Sequence, residues 1–290
     1  MNQETYSIEH IAQILKAKAL LPSPEAIIRK LLTDSRTVID PEGSLFFAVK
    51  AKRDGHQFIK DAYQNGIRNF VVSDPSYAEQ YPSANFILVD EVLQALQALA
   101  TYNRKANELK VIGITGSNGK TIVKEWLYQL LAADFNIIRS PKSFNSQIGV
   151  PLSVWQITAD HTLGIFEAGI STKDEMETLA DIICPTIGVL TNIGEAHAEG
   201  FESKKEKLEE KLKLFKDVEL LVYSPNYVTD IALADLPGKQ KFSWSTSGPA
   251  DLQVSFIEPI EGRNYIRGIY QNKEIECLIP FSDKAAVENG

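Results

Sequence analysis

Five short and almost continuously apolar segments between residues 111 and 224 constrain the fold of this chain most. They read VIGIT (111–115), FNIIR (135–139), TLGIFEA (162–168), TIGVLTN (186–192) and VELLVYS (218–224). Strands that are apolar on both faces and alternate with helices indicate a mainly parallel sheet covered by helices. After about residue 240, strand-like runs split by EGR and QNK predict antiparallel hairpins. The predicted fold class is therefore α/β.

The first hundred residues predict a smaller, mixed α/β domain. Helices are expected over 7–17, 58–66 and 92–106, and strands over 44–49, 69–74 and 85–90. The polar stretch RKANELK (104–110) leads into the first strand of the parallel sheet. We therefore predict two domains, 1–106 and 107–290.

Composition argues against several classes of function. With 38 acidic and 30 basic residues the formal net charge is −8, and no basic stretch suggests a nucleic-acid partner. Cys184 and Cys277 are too few for a disulfide framework or a zinc site. Without a signal peptide or a long apolar run, we expect a soluble, cytoplasmic protein with no membrane insertion. The alternating charges of KKEKLEEKLK (204–213) predict a solvent-exposed helix face.

The segment GSNGKT (116–121) lies between a predicted strand and a predicted helix, which is the context of a phosphate-binding loop. Glycines let backbone N–H groups approach an anion, and the helix N-terminus adds partial positive charge. Lys120 would reach the outer phosphates, and the Thr121 hydroxyl would bind Mg²⁺. The usual spacing requires glycine where Ile114 stands. On these residues alone, a plain strand–helix turn remains the alternative.

Two further polar residues follow predicted strands. Glu167 ends TLGIFE, and His197 comes shortly after TIGVLTN. The carboxyl ends of parallel strands share one edge of the sheet, so both residues are expected beside the loop, where a nucleotide site places its metal-binding acid. Alternatively, Glu167 is an acid near the N-terminus of the following helix, and His197 is a structural histidine.

In combination these motifs resemble the Mur ligases, ATP-dependent enzymes that form amide bonds in peptidoglycan synthesis. TGSNGKT (115–121) is similar to their short phosphate loop, which accounts for the missing glycine. Segments that resemble the MurF type, which adds D-alanyl-D-alanine to UDP-MurNAc-tripeptide, are KEW (124–126), SFNSQIGVPLSVW (143–155), FEAGIS (166–171) and CPTIGVLTNIGEAHAEGFES (184–203). TDSRTV, GSLFFAV and DGHQFI, between residues 33 and 59, resemble the UDP-binding domain of the MurE and MurF types.

The resemblance implies a reaction and a set of site residues. ATP would phosphorylate the terminal carboxylate of the tripeptide, and the amine of D-alanyl-D-alanine would attack the resulting acyl phosphate. Catalysis would depend on Lys120, Glu167, His197 and Lys211. The implied binding residues are Gly116, Ser117, Asn118, Gly119, Lys120 and Thr121 for the ATP phosphates, Asn289 near the adenine, Thr121, Glu167, His197 and Lys211 for two Mg²⁺ ions, Asn145 and Ser146 for the muramoyl substrate, and Ser35 and Arg36 for the UDP moiety.

Lys211 is implied as a special residue because the family carries a carbamylated lysine just before a Leu-Phe pair, which KLKLF (211–215) places here. On a helix, Leu208, Leu212 and Phe215 would form an apolar stripe bordered by Lys211. Lys207 and Lys213 are expected to point away from that stripe. The alternative is a surface lysine whose apolar stem covers the stripe.

The chain also departs from the family pattern. EAGIS (167–171) lacks the Met and Asn that are commoner around the acid, and the lysine segment is more charged than usual. The family's C-terminal domain, which binds the incoming amine, is missing from the sequence. We therefore expect a two-domain fragment that is inactive alone, and a fusion to an alanine racemase is compatible with it.

Four alternatives to the MurF type stay open. They are a MurE-type ligase adding the third amino acid, a folylpolyglutamate synthase, a P-loop module that senses or hydrolyses ATP, and a nucleotide-binding fragment without turnover. The segments NSQIGVP (145–151) and VKEW (123–126) argue against the MurE type, and a UDP-binding domain ahead of the loop argues against the synthase.

Overall fold

A computed structural model describes residues 6–36, 38–194, 200–228, 233, 236, 240–280 and 288–290. The chain divides into two compact units, Met1–Glu108 with Gln147–His161 and Leu109–Ser146 with Thr162–Gly290, called here the first and second unit. The first change of unit falls between Glu108 and Leu109, and the domains 1–106 and 107–290 stay a prediction. The return of Gln147–His161 to the first unit was not predicted.

The helices and strands of the described residues are numbered in chain order. The strands are β1 (Tyr6–Ser7), β2 (Lys18–Leu20), β3 (Ile27–Ile28), β4 (Lys30–Leu32), β5 (Ser44–Phe47), β6 (Asn69–Val72), β7 (Asn85–Leu88), β8 (Lys110–Thr115), β9 (Ile137–Arg139), β10 (Leu163–Glu167), β11 (Ile187–Leu190), β12 (Leu220–Tyr223), β13 (Gln240–Ser245), β14 (Leu252–Ile260), β15 (Arg263–Tyr270) and β16 (Lys273–Ile279). The helices are α1 (Ile8–Ile14), α2 (Ile59–Gln64), α3 (Ser76–Gln80), α4 (Val92–Ala106), α5 (Lys120–Leu131), α6 (Gly149–Val154), α7 (Glu175–Ile183) and α8 (Lys204–Leu212), with 3₁₀ turns at Gly55–Phe58 and Lys213–Phe215. Among these helices, none is long and apolar enough to cross a membrane.

The first unit is built on a five-stranded sheet in the order β2-β7-β6-β5-β4, parallel except for β2. Successive residues of a strand face opposite sides, so Phe46 and Phe47 enter different cores. Phe47 belongs to a cluster with residues of α1 and α4, and Phe46 to one with residues of α2 and α3. Both faces are covered, as the apolar sequence of β5 and β6 predicts.

A buried amide is one of the contacts that hold the segment 147–161 in the first unit. The Asn103 side chain on α4 donates to the carbonyl oxygens of Val154 (3.3 Å), Trp155 (3.1 Å) and Ile157 (3.1 Å). These carbonyls lie at the end of α6, where no further helical N–H groups are available to bond them. The Asn103 amide therefore supplies the hydrogen bonds that these buried carbonyl oxygens need. The Trp155 indole N–H donates to the Arg29 carbonyl oxygen at 3.2 Å.

The second unit is built on a nine-stranded sheet in the order β16-β15-β14-β13-β12-β11-β8-β10-β9. The strands from β9 to β14 are parallel, and β14, β15 and β16 are antiparallel. The predicted fold class, a mainly parallel sheet with an antiparallel portion, is confirmed. The strand order reverses around β8, which has β10 on one side and β11 on the other. In open parallel sheets, ligands bind beyond the carboxyl ends of the strands at such a reversal.

The two C-terminal hairpins form where EGR and QNK predicted them. Glu261 and Gly262 have φ of 48° and 77°, and Gln271 and Asn272 have φ of 49° and 60°. Two consecutive left-handed residues are the geometry of a tight hairpin whose twist matches that of its strands. Strand β13 was not predicted from the sequence.

Candidate functional site

The phosphate-loop sequence forms the turn between β8 and α5, at the carboxyl edge of the parallel sheet and beside the strand reversal. Helix α5 begins directly after Gly119, and no side chain caps it. The N–H groups of a first helical turn have no helical carbonyl to bond, and they carry the positive end of the helix dipole. The sequence therefore leaves an open anion-binding end at the edge where ligands bind.

Two positions in this loop require glycine. A Cβ at Gly116, where φ is 148°, would lie 2.0 Å from the Thr191 Oγ1 atom. A Cβ at Gly119, where φ is 82°, would lie 2.0 Å from the Asn289 Oδ1 atom. Both positions combine a backbone conformation that disfavours side chains with a neighbour that a Cβ would clash with. The structure therefore brings Asn289 against the loop.

The turn after β11 supports the loop from the other side. Ser117 N–H donates to the Asn192 carbonyl oxygen (2.8 Å), and Asn118 N–H donates to the Asn192 side-chain oxygen (3.0 Å). The Thr191 hydroxyl donates to the Asn118 carbonyl oxygen (2.6 Å). These supports were not identified from the sequence, although their place at the end of the predicted strand TIGVLTN was a signal.

Glu167 lies at the centre of the polar contacts behind the loop. It ends β10 and is fully buried. Its carboxylate accepts from the Thr121 hydroxyl at 3.0 and 3.2 Å and from the Asn145 amide at 3.3 Å. The Ser143 and Thr121 hydroxyl oxygens are 3.1 Å apart. Hydroxyls and a carboxylate thus meet at the first turn of α5.

Lys124 is a residue that sequence reasoning missed. It is fully buried on α5, and its ammonium donates to the carbonyl oxygens of Ser140 (2.7 Å) and Lys142 and to Glu167 Oε1 (3.2 Å). The signal was its spacing, because residues four apart on a helix share a face and Lys124 follows Lys120 by four. Lys124 is the internal counter-ion of the Glu167 carboxylate.

A polar cleft of about 370 Å³ opens beside the loop within the second unit. It brings together residues predicted from separate segments, and its described lining is Gly116, Ser117, Asn118, Lys120, Asn145, Ser146, Gly169, Ile170, Ser171, Gly194, Lys207 and Lys211. The Lys120 ammonium donates to the Gly116 carbonyl oxygen at 2.8 Å, and the buried Lys211 ammonium donates to the same oxygen at 3.1 Å. Two lysines from distant elements therefore meet at the start of the loop.

The charged segment 204–213 corrects two expectations. Leu208, Leu212 and Phe215 form the predicted buried stripe, but the helix face beside it is not solvent-exposed. Lys207 was expected to point away, yet it is buried and lines the cleft. A lysine stem is apolar and long, so the residue can be buried while its ammonium reaches a polar space. Charge periodicity alone cannot distinguish this arrangement from an exposed face.

Glu210 is the other charged residue on this helix whose burial was unexpected. Its carboxylate accepts from the Met176 backbone N–H at 3.2 Å and pairs with Lys213 at 2.6 Å. This pair and the Asp174 carboxylate raise the pKa of Lys213, the hydrogen bond to Glu210 contributing most. The two contacts compensate for burial of the Glu210 carboxylate.

The remaining predicted residues divide between the first unit and the undescribed part of the chain. Ser35 is buried in the turn after β4, and its carbonyl oxygen accepts from the Asn65 amide at 2.9 Å. Arg36 is exposed and pairs with Asp34 at 2.6 Å, which lowers the pKa of the Asp34 carboxyl. The structure does not bring these residues into the cleft of the second unit. His197 lies outside the described residues.

A second polar group of the first unit lies beyond β5 and β6. The buried His56 ring accepts from the Ser73 N–H through Nε2 (3.0 Å) and contacts the Asp54 carboxylate through Nδ1 (2.6 Å). Nδ1 therefore carries the proton. The His56 backbone N–H and ring together hold the pKa of Asp54 below its ordinary value. Like Ser35, these residues follow the carboxyl ends of parallel strands.

The donor set beside the loop fits Mg²⁺. Thr121, Ser143 and Glu167 offer hydroxyl and carboxylate oxygens, the ligands that a hard cation prefers. No group of three or more His, Cys, Asp or Glu side chains able to hold a metal occurs in the described part of the chain. Mg²⁺ is commonly bound through one or two carboxylates, with waters and substrate phosphates as its other ligands.

Comparisons with known proteins agree with this architecture. Residues 114–290 match the Mur ligase middle domain. The chain is 32% identical over 290 residues to the UDP-N-acetylmuramoyl-tripeptide–D-alanyl-D-alanine ligase of Bacillus subtilis, covering 98% of this chain and 61% of that protein. Two crystal structures of MurF, each 24% identical, are similar in fold. The Acinetobacter baumannii structure has a TM-score of 0.88 and covers 100% of this chain and 64% of its own. The Thermotoga maritima structure, a complex with ADP, has a TM-score of 0.78, and the match covers 90% of this chain and 60% of that one.

The chain belongs to the Mur ligase family, since the family's middle domain matches more than half of it. The resemblance predicted from the sequence is confirmed. The chain spans 61% of the length of its Bacillus subtilis relative. Its activity and substrates as part of a whole enzyme are therefore matters of proposal.

Proposed function

We propose that this chain binds ATP–Mg²⁺ and UDP-MurNAc-tripeptide for an ATP-dependent ligase that adds D-alanyl-D-alanine through an acyl phosphate. The observation that carries the proposal is the meeting of three groups at one sheet edge. The phosphate loop, the buried Glu167 carboxylate on Thr121, and Lys211 on the loop carbonyl lie beside one polar cleft. A module that only senses a nucleotide would not require the cleft residues that lie outside the phosphate loop, such as Lys211.

The residues of the chain mainly neutralise charge and fix positions. Both reacting groups, a carboxylate and a triphosphate, are anionic and repel each other. In the proposed reaction a carboxylate oxygen attacks the γ-phosphorus, and ADP leaves with the electron pair of the broken P–O bond. The amine then attacks the acyl carbon, phosphate leaves and the amine loses a proton. Lys120 and the N-terminal amides of α5 would hold the phosphates in line for the first step.

When bound, Mg²⁺ neutralises the phosphate charge that develops in phosphoryl transfer. Thr121 and Glu167 would hold one such ion, and Lys124 and Asn145 keep the Glu167 carboxylate directed toward Thr121. A second ion held by His197 and a carbamylated Lys211 belongs to the same proposal. Three ammonium groups line the cleft and repel one another, which favours conversion of one into an anionic carbamate.

For the first unit we propose the UDP-binding role. Ser35, Arg36 and the His56–Asp54 pair follow strands of the parallel portion of its sheet, the edge where such folds bind nucleotides. Asn289, which contacts the loop at Gly119, would lie near the adenine of ATP. Because ATP and a nucleotide-linked sugar are the substrates, the proposal keeps the cytoplasmic location predicted from the sequence. The C-terminal domain, the inactivity of the isolated chain and the racemase fusion stay predictions.

The MurF type is preferred over the MurE type because of the relatives. The Bacillus subtilis relative and both structures named above are MurF proteins. No observation in the described residues favours addition of the third amino acid.

Calorimetric titration tests the substrate assignment. With a non-hydrolysable ATP analogue and Mg²⁺ present, we expect UDP-MurNAc-tripeptide to bind at least about tenfold more tightly than UDP-MurNAc-dipeptide, a difference of about 1.4 kcal/mol. The reason is that the terminal carboxylate of the tripeptide is the proposed phosphoryl acceptor. A clear preference for the dipeptide would indicate the MurE type instead.

A further inference from the structure

The lining of the cleft has an unusual charge. Among its described residues are three lysines, Lys120, Lys207 and Lys211, and no carboxylate. The chain as a whole is acidic, with a formal net charge of −8. With Lys211 carbamylated as proposed, Lys120 and Lys207 remain as cations in the described lining, and cations in a concave site concentrate anionic ligands.

Lys207 differs from the other two lysines. Lys120 and Lys211 both donate to the Gly116 carbonyl oxygen. Lys207 is only 4% exposed, and in the described part of the chain its ammonium has neither a hydrogen-bond nor an ion-pair partner. The stem of Lys207 is buried, and its ammonium reaches the polar space of the cleft. An anion in the cleft would give this ammonium a partner, whereas Lys120 and Lys211 already contact the Gly116 carbonyl oxygen.

The position of Lys207 indicates which anion this is. A shallower opening of about 280 Å³ at the start of α5 is lined by Ser117–Ile122 and Asn145. Lys207 does not line this opening. Lys207 lines the cleft, whose lining also includes Ser146 and Gly169–Ser171, which the smaller opening lacks. The two openings share Ser117, Asn118, Lys120 and Asn145. An anion at Lys207 would therefore lie in the cleft, next to phosphates held at the start of α5.

We propose that Lys207 binds the carboxylate of the acyl donor, a terminal peptide carboxylate that accepts the phosphoryl group, and holds it opposite the terminal phosphate. The inference rests on the proposed function and deepens it. Lys207 forms no covalent bond in the reaction. It compensates for the negative charge that the carboxylate brings toward the triphosphate, one helical turn before Lys211 on the same face of α8.

The test is a cycle of one substitution and one change in the ligand. Wild type and K207M are titrated with UDP-MurNAc-tripeptide and with its terminal carboxamide, with Mg²⁺ and the ATP analogue present. We expect K207M to weaken carboxylate binding about tenfold or more, because the charge-assisted hydrogen bond to the carboxylate is lost. Binding of the carboxamide and of the ATP analogue should change less than about threefold.

Two variants complete the comparison. K205M changes an exposed lysine of the same helix and should leave every affinity unchanged, while K207R should restore most of the carboxylate preference. Equal losses for carboxylate and carboxamide, or a loss confined to the ATP analogue, would overturn the proposal. If K207M fails to fold, K207Q supplies the same comparison. If wild type binds neither sugar nucleotide, the proposed function itself fails. That result differs from K207M binding the tripeptide carboxylate as tightly as wild type does, which would overturn only the role of Lys207.

Discussion

Replacement of Lys124 by methionine is expected to lower the free energy of unfolding by about 3–5 kcal/mol, the cost of breaking a buried ion pair by removing one partner. The ammonium and the Glu167 carboxylate are both fully buried and lie 3.2 Å apart. The substitution would leave the carboxylate without its cation and the Ser140 and Lys142 carbonyl oxygens without their donor. Urea unfolding followed by circular dichroism measures the change.

A matched control is available in Lys110, whose ammonium pairs with Glu219 at 2.7 Å on the surface. Solvent screens that pair, so K110M should cost less than about 1 kcal/mol. The double variant K124M/E167Q should be more stable than K124M, because its buried carboxylate is gone. A loss below about 1 kcal/mol for K124M would show that Lys124 is not the counter-ion of Glu167.

The second large effect is expected for Gly116→Ala. The added Cβ would lie 2.0 Å from Thr191 Oγ1 and 3.0 Å from the Asn192 carbonyl oxygen, at a backbone φ of 148°. Backbone strain alone costs about 1–3 kcal/mol, and the clash displaces the turn that supports the loop. We therefore expect both a lower melting temperature and a loss of at least about tenfold in affinity for the ATP analogue, or about 1.4 kcal/mol.

Gly262→Ala is the control that separates the effect of backbone strain from the effect of the steric clash at Gly116. Gly262 has φ of 77° in a hairpin turn, and a Cβ there would meet nothing within 4 Å. This variant should lose stability through strain but keep the affinity for the ATP analogue. Equal losses of nucleotide affinity in the two variants would contradict a specific role for the loop.

Sequence reasoning succeeded where a periodic signal was strong. Helix α4 has the predicted bounds, Val92–Ala106, because its apolar spacing and helical propensity agree. The loop was located because a strand, two glycines and a helix leave few other geometries. Glu167 was expected beside the loop because parallel strands end at a shared edge, and the structure brings its carboxylate to the Thr121 hydroxyl.

Other features depend on contacts that no local pattern records. Asn103 donates to carbonyl oxygens some fifty residues further along the chain, and this is one of the contacts by which 147–161 joins the first unit. Lys124 and Lys207 are buried lysines, and patterns based on hydropathy assign every lysine to the surface. Their burial follows from partners or spaces that only the folded chain supplies.

The most direct measurement of the central claim is titration of Lys120→Ala with the ATP analogue in the presence and absence of Mg²⁺. We expect wild type to bind the analogue in a Mg²⁺-dependent manner. We expect K120A to lose about tenfold or more in affinity, while exposed K110A binds like wild type. Equal affinity of K120A and wild type would contradict the claim that this loop holds the phosphates.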